Sequence, residues 1–179
     1  MFDISNRIAY DEQMVFATPA RPGLMLPPSA WIHVESEEAR GHAIPAEGIA
    51  LALLLAELAG SGIPAKEMFL ISPFRDVAQQ MENIAEAYPG IKTGTIHRAQ
   101  GKESEVVILV LGSNPEAAGA REWASEKPNL LNVAVSRAKR RLYIIGNREE
   151  WRRYPYFAEA ASLLDRSKQA RGKSAGGAI

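Results

Sequence analysis

The chain has no cysteine. That excludes disulfides, thiolate metal sites and a thiol nucleophile, and it fits a reducing, cytoplasmic compartment. Its three histidines, His33, His42 and His97, fall at no metal-ligand spacing. No apolar run approaches the roughly 18 residues that a membrane span requires, and the acidic, polar stretch after Met1 lacks the pattern of a secretory leader. Net charge is absent too. Lys plus Arg and Asp plus Glu number 21 each, so the whole-chain balance neither supports nor excludes a nucleic-acid partner. There is no GxxxxGK[ST] phosphate loop, no pair of adjacent acids closing an apolar strand to hold magnesium, no Gly-rich dinucleotide loop and no G-x-S-x-G. Alone, such a chain cannot cradle a triphosphate in the usual way.

What is present is the pattern of a globular domain, with 46% apolar and 23% charged residues over 179 positions. Residues 1–30 read as an irregular opening segment packed on the domain, and four prolines between 17 and 28 exclude a long helix or central strand there. A short β-prone strand at 31–35 precedes an apolar helix at 44–58, started by Pro45 and stopped by Gly60-Ser61-Gly62. A buried strand at 68–71 follows. Ser72-Pro73 then starts a helix with Phe74, Val77, Ala78, Met81, Ile84, Ala85 and Tyr88 at helical spacing, ended by Pro89-Gly90. A more polar strand at 91–96, a turn at Gln100-Gly101 and a buried strand at 106–111 come next. Residues 112–127 read as a long polar loop. A helix at 129–137, a strand at 141–146 and a final helix broken near Pro155 close a domain spanning 31–165. The basic tail, 166–179, is expected to lack order. Alternating strands and helices predict a doubly wound α/β fold, with a mainly parallel sheet flanked by helices. Ligands of such sheets gather at the carboxyl ends of the strands, where Ser72-Pro73 lies.

Two polar blocks press against the apolar runs at 106–111 and 142–146. The first is TGTIHRAQGKE, from Thr93 to Glu103. The second, NVAVSRAKRR, runs from Asn132 to Arg141 and places four cations within 137–141. They closely resemble the fifth and sixth conserved motifs of superfamily 1 helicases, nearest to the Upf-like branch. Thr95, His97, Gln100, Gly101 and Glu103 match the fifth motif in register, and Asn132 to Lys139 match the sixth throughout. Ile71-Ser72-Pro73-Phe74 resembles the segment in which the family's helix N-terminus meets nucleic acid. The stretch FDISNRIAY resembles the one after the family's Gln-Tyr-Arg motif, so the likeness runs over about residues 2–151.

The resemblance implies a second, C-terminal RecA-like domain of P-loop NTPase type, one half of a motor that couples ATP hydrolysis to movement along single-stranded DNA or RNA. The first RecA-like domain, with its phosphate loop and magnesium acids, is the expected partner. ATP with Mg2+ would bind only where the two halves meet, so this chain by itself is expected to be inactive. In the family pattern Arg137 is the catalytic arginine finger and also contacts the nucleotide together with Gln100, Gly101 and Glu103. Ser72, Pro73, Thr95 and His97 would touch the nucleic acid, the hydroxyls donating to backbone phosphates without reading sequence. A guanidinium suits such an arginine because it is planar and permanently charged, and a finger of this kind accelerates phosphoryl transfer by about 10³–10⁵-fold. Each residue also has a plainer role open to it. Arg137 could form a surface ion pair, Glu103 could be solvated, Gln100 could make a structural hydrogen bond, Ser72 could cap its helix, and His97 could pack in the core. Lys139, Arg140 and Arg141 read as solvated or phosphate-facing. The alternative to a motor half is a RecA-like module that binds nucleic acid or protein without catalysis. An unrelated hydrolase or methyltransferase finds no motif in its favour.

Overall fold

The computed structural model describes residues 25–96, 103–126 and 129–175, with the backbone alone at 129–130 and 166–175. Five strands form a single sheet in the order β1-β5-β4-β2-β3: β1 (Ala30–His33), β2 (Met68–Ser72), β3 (Lys92–Thr95), β4 (Ser104–Val110) and β5 (Ala138–Gly146). Every pairing is parallel. A parallel sheet needs crossovers that cover both of its faces, and this explains why β2, β4 and β5 carry unbroken apolar runs. Leu70, Ile71, Val106 to Leu111 and Leu142 to Ile145 are all buried.

Helix α1 (Pro45–Gly60) and helix α2 (Arg75–Ala85) pack on each other. Pro45 supplies the fixed φ of a first helical turn. In α2 the buried side chains are Val77, Ala78, Met81 and Ala85, one stripe at helical spacing. Helix α3 (Ala118–Ser125) packs against α4 (Asn129–Arg137), and α4 lies on β4 and β5. Helix α5 (Arg148–Trp151) is capped by Asn147, whose side chain accepts from the N–H groups of Glu149 and Glu150. Helix α6 (Pro155–Ala175) packs on β1, where Phe157 meets Trp31 edge-on at 6.3 Å and Trp151 at 4.7 Å.

The chain runs outward from β1 to β2 and β3 through α1 and α2, then returns to fill β4 and β5. Right-handed crossovers therefore place the outgoing helices and the returning ones on opposite faces. The direction changes between β2 and β4, which makes the carboxyl ends of those strands the topological switch point.

The structure departs from the sequence reading at four places. Residues 112–127 are not loop throughout, because α3 forms within them. Its anchor is Arg121, only 5% exposed, whose guanidinium donates to Ser113 Oγ (3.2 Å), Asn114 O (3.0 Å) and Pro115 O (3.2 Å) and pairs with Glu150 (3.4 Å). That long-range network leaves no periodicity in the sequence. Helix α2 starts at Arg75 rather than at Ser72-Pro73; Phe74 is its N-cap residue and no side chain caps it. Strand β5 begins at Ala138, so the cations after it are strand residues. Arg140 pairs with Glu105, Arg141 Nε donates to Pro27 O (2.8 Å), and Lys139 pairs with Glu103 (3.1 Å), which accounts for all three within the protein. The last helix continues to Ala175, through residues read as a tail without order.

Candidate functional site

The sheet divides the expected site residues between its two edges. Ser72 and Thr95 end β2 and β3 and stand opposite each other in the register. Both therefore lie on the carboxyl rim. Ser72 is fully buried, and its hydroxyl accepts from the N–H of Phe74 at 3.2 Å. This holds the turn into α2 and leaves Thr95, half-buried, as the more open hydroxyl. Pro73 is buried, and it lines an open cavity of about 840 Å³ together with His42, Phe74, Arg75, Thr95 and Trp123.

Glu103 and Arg137 belong to the other edge. They immediately precede Ser104 and Ala138, which pair across β4 and β5. Two residues far apart in sequence thus emerge on one amino-terminal rim. Glu103 is half exposed and ion-paired with Lys139. Arg137 is half-buried, and its Nε is buried without a hydrogen-bond partner among the described residues, as is Ser104 Oγ beside it in the register. Buried donors are nearly always paired, so an orphaned guanidinium nitrogen at a strand edge marks a place where a further acceptor fits. His97, Gln100 and Gly101 lie outside the described residues. No group of three or more His, Cys, Asp or Glu side chains among the described residues could hold a metal ion. No helix there is long and apolar enough to cross a membrane.

Sequence reasoning missed several residues that build the carboxyl rim. His42 stacks on Phe74 with ring centroids 4.1 Å apart and planes at 20°, and Trp123 sits beyond Phe74 at 6.4 Å. The His42 N–H donates to the Asp76 carboxylate, and Asp76 also accepts from Val77 N at 3.0 Å. Gly112, two residues beyond β4, has φ +59°, and a Cβ there would stand 2.4 Å from Val77 Cγ2 and 2.5 Å from His42 O. Only glycine meets both demands. Its N–H donates to Glu47 Oε2 at 2.8 Å. Glu47 is 2% exposed, and burial pushes its pKa up to about 8 while the Gly112 N–H pulls it down. A glutamate one turn into an apolar helix gives no warning of this. An isolated tryptophan in a polar stretch was the available signal for Trp123.

Known proteins resemble this chain in sequence. The chain matches the AAA domain family over residues 11–149. It is 32% identical over 83 residues to a probable helicase of Dictyostelium discoideum, covering 46% of this chain and 9% of that protein. It is 25% identical over 131 residues to a DNA replication ATP-dependent helicase/nuclease of Arabidopsis thaliana, covering 72% of this chain and 9% of the relative. The corresponding protein of Gallus gallus is 32% identical over 104 residues, covering 53% of this chain and 10% of the relative. The chain thus spans at most about a tenth of the length of these relatives. With a five-stranded parallel sheet and both motifs in place, the chain belongs to the AAA domain family and is a RecA-like domain of the superfamily 1 helicase kind.

Proposed function

We propose that this domain is the second motor half of an ATP-dependent helicase or translocase, using its two sheet edges for two ligands. The amino rim takes the nucleotide. Glu103 reaches the ribose side, and Arg137 extends its guanidinium across the cleft to the phosphates of ATP held by a first RecA-like domain. Gln100 and Gly101 complete that contact. The observation that carries this reading is that Glu103 and Arg137 both lead into paired strands on one rim, with the Arg137 Nε left without a partner among the described residues. An arginine kept only for a surface ion pair would have its acid beside it; here the neighbouring Glu103 is taken by Lys139.

ATP and Mg2+ fit this rim only in part. A guanidinium fork suits phosphate oxygens, and the magnesium ligands belong, in this reading, to the other half. The carboxyl rim takes single-stranded DNA or RNA. Thr95 donates to a backbone phosphate, Pro73 and Ser72 shape the turn beneath it, and His97 adds a contact from the segment that follows. Such contacts position a strand without reading its sequence.

The test uses a longer protein that also carries the phosphate-loop domain. Arg137→Ala should lower nucleic-acid-stimulated ATPase about 10³-fold while nucleotide binding persists. Unchanged turnover would remove the finger and favour a non-catalytic binding module.

A further inference from the structure

We propose that Trp123 is a stacking platform for one unpaired base of a single strand, at a subsite the helicase motifs do not contain. The inference rests on the nucleic-acid reading of the carboxyl rim and adds the residue that holds a base there.

Three observations converge. Trp123 is 55% exposed, whereas the chain's other two tryptophans, Trp31 and Trp151, are buried. Its indole is not adrift on the surface. It stands against Phe74, which is stacked in turn on His42, so three rings form a layered wall. The layers are held from beneath: His42 is tied to Asp76 and, through its carbonyl, to Ser113 N at 2.9 Å. The helix bearing Trp123 is pinned by Arg121, whose guanidinium clasps residues 113–115. A rigid, half-exposed aromatic plane loses little freedom when a flat ligand stacks on it.

The surroundings select the ligand. The cavity of about 840 Å³ also presents the Thr95 hydroxyl, the exposed Arg75 guanidinium and two carboxylates, Asp76 and Glu82, the latter accepting from Thr93 Oγ1 at 3.5 Å. Arg75 has no ion-pair partner among the described residues, while the nearby Asp76 carboxylate is occupied by two backbone N–H groups. A π face, a cation without an ion-pair partner among the described residues and a hydroxyl donor on one open wall match a base stacked on Trp123 with one flanking phosphate at Arg75. The position, at the carboxyl ends of β2 and β3 beside the switch point, is where open α/β sheets collect ligands. Stacking is tolerant of sequence, since every base has a π face, and this suits a protein that moves along a strand.

Because Trp31 and Trp151 are buried, quenching of tryptophan emission reports Trp123. The 179-residue chain is titrated at low salt with a labelled thymidine oligonucleotide, following anisotropy and tryptophan emission together. An abasic deoxyribose-phosphate strand of the same length is the comparison. The thymidine strand should bind and quench, and the abasic strand should bind more weakly without quenching. Trp123→Ala should weaken thymidine binding about tenfold, within the range of base–aromatic stacking, and leave abasic binding unchanged. Trp123→Phe should restore most of the loss, and thermal melts of both variants should match the parent. Binding by anisotropy with no quenching, and with Trp123→Ala equal to the parent, would overturn the platform but keep the nucleic-acid reading. Failure of both strands to bind would remove both.

Discussion

The two edges of this sheet are built on opposite plans. At the carboxyl rim the groups are locked to one another: Gly112 to Glu47, His42 to Asp76 and Phe74, Ser72 to Phe74 N, and Arg121 to residues 113–115. At the amino rim Glu103 and Lys139 are half exposed, and Arg137 keeps a buried nitrogen without a partner among the described residues. The carboxyl rim is the more tightly cross-linked of the two, although His42 Nδ1 there is likewise buried without a hydrogen-bond partner among the described residues. Under the proposed function the difference has a use, since a track can be preformed on one domain while a shared nucleotide cleft cannot.

The sharpest way to break the comparison is Arg137→Lys in a longer protein with a phosphate-loop domain. The charge stays but the planar fork is lost, so nucleic-acid-stimulated ATPase should still fall about 10²–10³-fold in a steady-state assay. The melting temperature of the isolated domain should hardly change. At the other rim the effect should be on stability. Arg121→Ala leaves Glu150 without its buried partner and frees residues 113–115, and urea denaturation should show a loss of about 3 kcal/mol. Gly112→Ala forces a Cβ against Val77 and the His42 carbonyl at a positive φ, with an expected loss of about 2 kcal/mol by the same measurement.

Glu47 sharpens the contrast through pH. Its folded pKa of about 8 lies above the ordinary carboxylate value of 4.5. Between those values the folded state holds a proton that the unfolded state has released, so stability falls as pH rises, on the order of 1.4 kcal/mol per pH unit at most. Glu47→Gln keeps an acceptor for Gly112 N–H and should flatten that slope in denaturation series from pH 5 to about 8. The smallest effect belongs to the exposed Glu103–Lys139 pair. Lys139→Ala should change stability by less than about 1 kcal/mol, because exposed ion pairs contribute little.

Much of this was legible in the chain itself. Unbroken Val, Ile and Leu at 106–111 could only be a strand covered on both faces, and the stripe from Val77 to Ala85 could only be a helix lying on a sheet. The order of residues in the two motifs gave the superfamily and named Thr95, Glu103 and Arg137. Local pattern failed where contacts are long-range. Helix α3 depends on a guanidinium that bonds to backbone on either side of a turn and to Glu150, and the cations of 139–141 find their acids and carbonyls on other strands and segments.

By itself the sequence determined most of the element types and the parallel sheet, because periodicity and residue type act within a few positions. Only the tertiary structure decided which edge Ser72, Thr95, Glu103 and Arg137 occupy, that Trp123 stands beside Phe74 and Phe74 on His42, and that burial raises the Glu47 pKa to about 8. Those outcomes follow from strand register and burial, which join residues tens of positions apart and leave no local trace.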